Sequence, residues 1–426
     1  MKRQLLAGLT LGLAVAATPI ALAYPLDGYE DTGIRRLEAS RLAHEGQIKG
    51  PRQPPGALLP TSEVDLRLLD RADMPLPAPD PAFSAQIVKL LGRNADRYGL
   101  AVLDLSDPDN PRYAEHRGDY KQNVGSVGKL VVALSVFQAM ADIWPQVDDR
   151  IELLRTRIIT ADDFSHWDHH TVRMFDVDSR KLTRRAIKDG DQATLWEYLD
   201  WMISPSSNAA AGMLMREAML MRQYGAEYPP SPEEIKRFFK ETPKKELTAL
   251  FERTFFEPLT RNGFDLEQFR QASFFTRQGK RNVPGPGSSY ATARQLMRLG
   301  LLMEQGRLVD EFSSRQLKRL TYVTERRIRY AASPKLASSA VYFKSGSLYS
   351  CKKEPDFNCG KYKGNRKNYM NSFAIIESPA GERRLHYMVM VISNVLRKNS
   401  AYDHLTLANR IDELIGEAHP AKGSTN

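Results

Sequence analysis

NVGSVGKL, residues 123–130, places a serine and a lysine three positions apart at the start of the apolar segment LVVALSVFQAM. Residues i and i+3 lie on one face of a helix, so the pattern predicts that Ser126 and Lys129 are neighbours at a helix N-terminus. A serine hydroxyl becomes a good nucleophile only when a base removes its proton, and a lysine whose pKa is lowered by burial can be that base. Alone, the spacing fits a capping serine and a surface lysine equally well.

The elements around this segment predict a mixed fold. Upstream, LAVLDLS and RYAEHRG flank the turn DPDNP, which is typical of a β-hairpin. Downstream, residues 150–290 have a largely helical pattern, after which AVYFKSGS, SFAIIES and HYMVMVIS are typical of strands and YDHLTLANRIDELIG of a helix. Because strands occupy both ends of the chain, we expect an α/β (α+β) fold in which an antiparallel sheet is flanked by helices and an all-helical domain is inserted.

Two further short motifs follow along the chain. Ser206 and Asn208 lie in MISPSSNAAAGML, ahead of another apolar helix, and Lys344 begins the sequence Lys-Ser-Gly on a predicted strand. Each has an ordinary structural explanation, since serine and asparagine cap helices and a lysine on an edge strand prevents unwanted pairing. The three motifs in this order are much less expected by chance than any one of them.

Together the three motifs resemble those of the penicillin-recognising serine hydrolases, the class A β-lactamases and penicillin-binding D-alanyl-D-alanine peptidases. The resemblance runs from about residue 85 to 417 and includes GDQATLWEYLDWMISPSSNAAAGML and SSYATARQLMRLGLL. It implies a serine β-lactamase-like fold and a reaction through an acyl-enzyme that needs no cofactor or metal. It also implies a β-lactam or a peptidoglycan peptide as the small-molecule substrate.

The resemblance implies a role for each motif residue. Ser126 would be acylated after Lys129 takes its proton, and Ser206 would pass a proton to the leaving nitrogen. Lys344 would supply positive charge and lower the pKa of Lys129. The residues that bind substrate would be Asn208 for its amide, Ser345 for its carboxylate, the adjoining Gly346, and Ser347, whose N–H would form an oxyanion hole with that of Ser126.

One residue of the class A pattern has no clear counterpart here. That family carries a glutamate, in the context Glu-x-x-Leu-Asn, that activates the water releasing the acyl group. Glu257 in FFEPLTRNGFD has a similar context but the wrong Leu-Asn spacing, and Glu267 is better spaced but has no motif around it. Without such a glutamate a bound β-lactam would be hydrolysed slowly, so a penicillin- or wall-binding protein without turnover is the alternative function. An esterase elbow is largely excluded because Val124 stands where it needs glycine.

The segment DDFSHWDHH, residues 162–170, contains three of the eight histidines of the chain beside several carboxylates. The resemblance places it on a loop at the rim of the active site, where Trp167 would border the substrate. The alternatives are a solvated polar loop and a metal site, since histidine and carboxylate side chains are zinc ligands.

The N-terminus predicts export. Lys2 and Arg3 precede the apolar stretch LLAGLTLGLAVAATPIALA, which ends in Ala-x-Ala. This pattern is typical of a signal peptide cleaved after Ala23 and predicts a periplasmic or secreted protein, with an uncleaved membrane anchor as the alternative. In an exported chain Cys351 and Cys359 are expected to form a disulfide rather than two free thiols.

The net charge and the domain organisation of the chain give the remaining predictions. The net charge of +10 is scattered, without the aromatic-interleaved stripe of a nucleic-acid-binding protein, and favours the anionic cell envelope. We expect a monomer with no stable membrane insertion. The predicted parts are a signal peptide (1–23), a proline-rich extension without its own core (24–80), a catalytic domain (81–418) with a helical subdomain at about 126–289, and a tail (419–426).

Overall fold

A computed structural model describes residues 27–50 and 52–421 of the chain. The predicted signal peptide and its cleavage site after Ala23 lie outside these residues, as does the end of the C-terminal tail. The expected export of the protein therefore depends on the sequence pattern.

Within the described residues the chain forms fourteen α-helices and nine β-strands. The helices are α1 (Gly28–Thr32), α2 (Arg35–His44), α3 (Pro81–Leu91), α4 (Lys129–Ile143), α5 (Val147–Thr156), α6 (Leu195–Ile203), α7 (Asn208–Tyr224), α8 (Pro232–Glu241), α9 (Lys244–Phe255), α10 (Glu257–Arg261), α11 (Arg277–Asn282), α12 (Ala293–Glu304), α13 (Glu311–Tyr322) and α14 (Ala401–Ala418). The strands are β1 (Tyr98–Asp104), β2 (Arg112–His116), β3 (Ile158–Thr160), β4 (Val172–Asp176), β5 (Lys181–Arg185), β6 (Gln192–Thr194), β7 (Ala340–Ser350), β8 (Lys367–Ser378) and β9 (Leu385–Asn394).

A five-stranded antiparallel sheet in the order β2-β1-β9-β8-β7 is assembled from both ends of the chain. The first hairpin joins the C-terminal strands where β1 pairs with β9, for example Leu100 opposite Val391. Among the described strands, β7 lies at the edge and has β8 as its one partner, with Gly346 opposite Asn371. The predicted α/β fold with an antiparallel sheet is confirmed, and its free edge carries the Lys-Ser-Gly motif.

Apolar layers cover both faces of this sheet. On one face, Phe83 and Ile87 of α3 pack with Leu407 and Ile411 of α14. On the other face, helices α4, α12 and α13 belong to the larger core, to which α12 contributes Leu296. The central strands are buried on both faces, which explains why β8 and β9 read as nearly continuous apolar runs rather than as alternating ones.

Helix α4 is the central helix of the larger core. Its residues from Lys129 to Met140 are all buried, so hydrophobic burial around the whole helix stabilises it. In the described part of the chain, Gly125–Ile143 is the segment long and apolar enough to cross a membrane, but 78% of that segment is buried inside the protein. This burial is what a core helix of a globular domain shows.

The inserted region is not helical throughout, which differs from the all-helical domain that the sequence predicted. Strands β3 and β6 form one small antiparallel sheet, and β4 and β5 form another. The second is a hairpin whose turn is stabilised by Asp176, since its carboxylate accepts hydrogen bonds from the N–H and hydroxyl of Ser179. Such short strands escape detection because a few residues of alternation are hidden within a longer helical pattern.

The N-terminal extension packs against the body of the protein over its described length. Val64 and Leu68 are buried in the main core. Arg36 of α2 forms a buried ion pair with Asp200 of α6, and Arg67 pairs with Glu377 of β8 at 3.0 Å. The extension therefore links the helical region and the sheet, although it lacks regular structure over most of its length.

Candidate active site

Ser126 and Lys129 are adjacent at the start of α4. Ser126 lies in a tight 3₁₀ turn, Gly125–Gly128, and the α-helix itself begins at Lys129. The lysine Nζ is 3.1 Å from Ser126 Oγ. The local spacing therefore places an amine within hydrogen-bond distance of the hydroxyl, which is the geometry that a base and its nucleophile require.

Lys129 is fully buried, and its partners are neutral oxygens. Its Nζ donates to the carbonyl of Ser206 at 2.7 Å and to Oδ1 of Asn208 at 2.7 Å. Burial lowers the pKa of Lys129 to about 7, although the more distant charge of Asp168 opposes the change. The amine is thus substantially neutral near pH 7 and can accept a proton from Ser126.

Lys344 reaches the same place from strand β7. Its Nζ is 2.8 Å from Ser206 Oγ and 3.0 Å from the carbonyl of Ser345. Burial lowers the pKa of Lys344 well below its ordinary value, and the positive charges of Lys129 and Arg329 lower it further. The second and third sequence motifs therefore meet at one hydroxyl.

Ser206 owes its position to the break between α6 and α7. Its φ is +67°, in the left-handed region that residues other than glycine rarely occupy. The next residue, Ser207, caps α7 by accepting a hydrogen bond from the N–H of Ala210. Because the chain turns sharply here, both the carbonyl and the hydroxyl of Ser206 face the lysine amines. Backbone strain of this kind occurs at functional sites, where the surrounding structure maintains it.

Two glycines let the serine turn lie directly against strand β7. A Cβ added to Gly346 would lie 2.0 Å from the carbonyl oxygen of Val124 and 2.9 Å from the N of Ser126. A Cβ added to Gly125, whose φ is +55°, would lie 2.8 Å from the N of Ser347. The backbone N–H groups of Ser126 and Ser347 are therefore close together beside the nucleophile, as a two-donor oxyanion hole requires.

An open pocket joins these groups. The motif residues that line it are Ser126, Ser206, Lys344, Ser345, Gly346 and Ser347. Lys129 lies behind them and contacts Ser126 and Ser206, and Asn208 contacts Lys129. The structure thus brings all three motifs together from distant parts of the chain.

The structure does not bring Glu257 or Glu267 to this pocket. Glu257 begins α10 and approaches Arg261 at 3.7 Å, and Arg261 in turn binds Asp142 near the far end of α4. Since α4 extends from Lys129 to Ile143, that end is about 20 Å from the nucleophile. Glu267 is largely exposed and approaches Arg270 at 3.7 Å. This geometry argues against either residue as the deacylating base.

The loop at residues 162–170 does reach the pocket, but not through Trp167. The indole is 69% exposed, whereas His170 lines the pocket. The two residues are three positions apart in an irregular loop, and no periodicity indicates which of them points inward. His170, and not Trp167, therefore belongs to the lining of the pocket, and a substrate contact by Trp167 at the rim stays a prediction.

Asp168 holds His170 in place. One carboxylate oxygen accepts a hydrogen bond from His170 Nδ1 at 2.6 Å, and the other accepts from Ser207 Oγ and from the N–H of Ala209, both at 2.9 Å. Asp168, His169 and His170 bring possible metal ligands within 4.8 Å of one another. Because both oxygens of Asp168 already bind protein donors, the cluster suits a hydrogen-bonded dyad better than a metal centre.

Arg329 is a pocket residue that the sequence analysis did not find. It is buried, and it donates to the carbonyl of Gly346 at 2.8 Å and to Ser347 Oγ at 3.0 Å. Its guanidinium lies 5.1 Å from the ring centre of Tyr362, which also lines the pocket. Nothing in ERRIRYAAS distinguishes this arginine from its neighbours, so only the folded chain shows its place.

Cys351 and Cys359 form a disulfide in the connection between β7 and β8. The same connection carries Tyr362 to the pocket. The bridge therefore constrains the segment that forms the lip of the pocket.

Comparison with known proteins agrees with this architecture. The family model described as the β-lactamase enzyme family matches residues 82–399, which is most of the chain. Curated proteins give no match. Among solved structures, a β-lactamase from Sphaerobacter thermophilus is 14% identical, with a TM-score of 0.50, and the match covers 79% of this chain and 99% of that one. A mutant of PBP-A, as its acyl-enzyme complex with penicillin G, is 15% identical with a TM-score of 0.47, over 80% of this chain and all of the other.

Proposed function

Because the chain belongs to the β-lactamase enzyme family, we propose that it is an exported serine hydrolase that forms an acyl-enzyme at Ser126. Its substrates are β-lactams or the D-alanine-type peptides of peptidoglycan. The single observation that carries this proposal is the 3.1 Å contact between Lys129 Nζ and Ser126 Oγ inside a pocket that also contains Lys344.

Acylation follows from the contacts around these two residues. Neutral Lys129 takes the proton of Ser126 as its Oγ attacks the carbonyl carbon of the substrate. The developing oxyanion is stabilised by the N–H groups of Ser126 and Ser347. The leaving nitrogen receives a proton from Ser206, whose hydroxyl regains one from Lys129, 3.3 Å away. Lys344 also donates to that hydroxyl, at 2.8 Å, and so orients it for the transfer.

The pocket is suited to an anionic substrate. None of the described residues that line it carries a carboxylate, whereas Lys344, Arg326 and Arg329 do line it. A carboxylate is a common feature of β-lactams and of peptides that end in D-alanine. Ser345 is part of strand β7, against which that carboxylate would bind, and the guanidinium of Arg329 lies against the same strand, so positive charge both attracts and orients it.

A non-hydrolytic penicillin- or wall-binding protein on the same fold is the second candidate. It is favoured by the distance of Glu257 and Glu267 from the pocket. Acylation without efficient deacylation would leave a long-lived adduct on Ser126. The two candidates share the covalent step and differ in the lifetime of its product.

The decisive experiment is to incubate the mature chain, from Tyr24 onward, with a fluorescent penicillin and to follow intact mass over time. We expect one equivalent of adduct, absent in Ser126→Ala. Ser135→Ala is the matched control, because this serine is buried on the same helix α4 and lies outside the pocket. Product accumulation indicates a hydrolase, and a persistent adduct indicates a binding protein. Absence of any adduct in the wild-type chain would refute the proposed acyl-enzyme.

A further inference from the structure

We propose that His170, held by Asp168, is the general base that activates the water for hydrolysis of the acyl-enzyme. The inference rests on the proposed function, since it concerns the second half of the same reaction. It assigns a catalytic role to a loop residue that lies outside the three sequence motifs.

The imidazole of His170 is anchored by Asp168. Asp168 accepts from His170 Nδ1 at 2.6 Å and from the backbone N–H of His170 at 3.1 Å. Its other oxygen is bound to Ser207 and Ala209 at the N-terminus of α7. This helix also carries Asn208, which contacts Lys129. The position of His170 is therefore coupled directly to the helix that builds the active site.

The second ring nitrogen of His170 is free of hydrogen bonds to the described residues. Because Nδ1 donates to Asp168, the neutral imidazole carries its lone pair on Nε2. No described residue forms a hydrogen bond to that atom, and the side chain keeps 21% of its surface exposed while it lines the pocket. An imidazole oriented by a carboxylate, with an open nitrogen in the site, is the arrangement used for proton abstraction.

The surroundings of His170 lower the pKa of its imidazole. Burial is the main cause that lowers its pKa, and the charges of Lys129 and His169 act in the same direction, whereas Asp168 raises it. His170 is therefore neutral near pH 7 and able to accept a proton. Asp168 then stabilises the imidazolium that forms.

Among the described residues, the pocket offers no other free base for the water. The described side chains that line the pocket include no carboxylate, and Lys129 is already bound to Ser126, Ser206 and Asn208. Lys344 contacts Ser206. His170 is the remaining pocket side chain that can take a proton from water at neutral pH.

The step balances as follows. Water adds to the acyl carbon as its proton passes to His170 Nε2, and the oxyanion is stabilised by the N–H groups of Ser126 and Ser347. The tetrahedral intermediate then breaks its bond to Ser126 Oγ, and this oxygen takes the proton that His170 removed from water. The products are a carboxylic acid and free serine, and the imidazole of His170 is neutral again.

The experiment measures acylation and deacylation separately, by intact mass after rapid mixing with benzylpenicillin and after removal of excess drug. In His170→Gln we expect acylation within about threefold of wild type and deacylation slowed at least about 100-fold. His166→Gln is the matched control, because this histidine is on the same loop, binds Asp189 at 2.7 Å and does not line the pocket. We expect both rates to be unchanged in the control.

Two readouts separate a base from a structural residue. Added imidazole should restore deacylation in His170→Gly but not in wild type. The wild-type deacylation rate should rise as the pH increases through the pKa of His170. The deacylation rate of His170→Gln should not depend on pH over the same range. Asp168→Asn should still form the adduct but should release it more slowly than wild type.

The outcomes also separate this inference from the proposed function. If the wild-type chain forms no adduct, both fail together. If it forms an adduct that never decays, or if His170→Gln releases it at the wild-type rate, the role of His170 is refuted while acylation at Ser126 stands.

Discussion

Lys129 and Lys344 direct their amines at the same oxygen, Ser206 Oγ, at distances of 3.3 and 2.8 Å. Both side chains are buried, and burial lowers the pKa of each. The charge of Lys129 further lowers the pKa of Lys344. Since like charges this close disfavour each other, the pocket does not hold both protons near neutral pH. Burial itself lowers the pKa of Lys129 to about 7, so a neutral amine is available beside the nucleophile near that pH.

The rate of acylation should depend on the protonation of Lys129. Because its pKa is about 7 and the neutral amine is the base, the rate should rise about tenfold per pH unit below that value and level off above it. Pre-steady-state labelling with a fluorescent penicillin between about pH 5 and 9 measures this profile. A rate that does not change with pH over this range would exclude Lys129 as the base.

Lys129→Met should abolish acylation and make the fold more stable. The buried amine has a lower pKa in the folded chain than in the unfolded one, so the unfolded state binds more protons between about pH 7 and 10 and wild-type stability rises with pH there. We expect a gain of about 1–3 kcal/mol at pH 7 that shrinks towards pH 10, measured by urea unfolding.

Lys335→Met is the control for that substitution. Lys335 is about half exposed and pairs with Glu413 at 2.6 Å, and such surface pairs contribute about 0–1 kcal/mol. We expect little change in stability and normal acylation. Loss of stability in Lys129→Met with no pH dependence would show that the buried amine is not destabilising.

Gly346→Ala should disrupt the nucleophile without removing any catalytic side chain. The added methyl would lie 2.0 Å from the carbonyl of Val124, so the turn that carries Ser126 has to move. We expect acylation to fall at least about 100-fold and stability by about 1–3 kcal/mol. The control is Gly416→Ala in α14, where the nearest atom is 3.9 Å away. An acylation rate near wild type in Gly346→Ala would contradict the close packing.

Arg36→Met should destabilise the protein by about 3–5 kcal/mol, because it leaves Asp200 buried without its partner. Arg36→Met/Asp200→Leu should recover most of that loss, which would show that the unpaired charge is the cause. Urea unfolding measures both variants. Arg41→Met is the control, since its pairs with Glu38 and Glu45 are partly exposed. A cost below about 1 kcal/mol in the single variant would mean that α2 is not anchored by this pair.

Much of the fold followed from local pattern. Strand and helix periodicity predicted the sheet built from both chain ends. A strand or helix with a buried face repeats apolar residues at a fixed spacing, so the pattern can be read without knowing the distant contacts. The hairpin of β4 and β5 was missed because its few alternating residues lie within a longer helical segment. The ion pair between Arg36 and Asp200 was missed as well, since the sequence does not show with which residue a charged side chain pairs.

By itself, the sequence determined most of the main-sheet strands and core helices. It also determined the pair at residues 126 and 129, because the geometry of a helix start sets that spacing locally. Tertiary structure alone decided which side chains outside the three motifs complete the pocket. It placed His170 rather than Trp167 there, added Arg329, and left Glu257 at the far end of α4. The physical reason is that loop side chains have no periodicity, and the contacts that orient them come from residues distant in the chain.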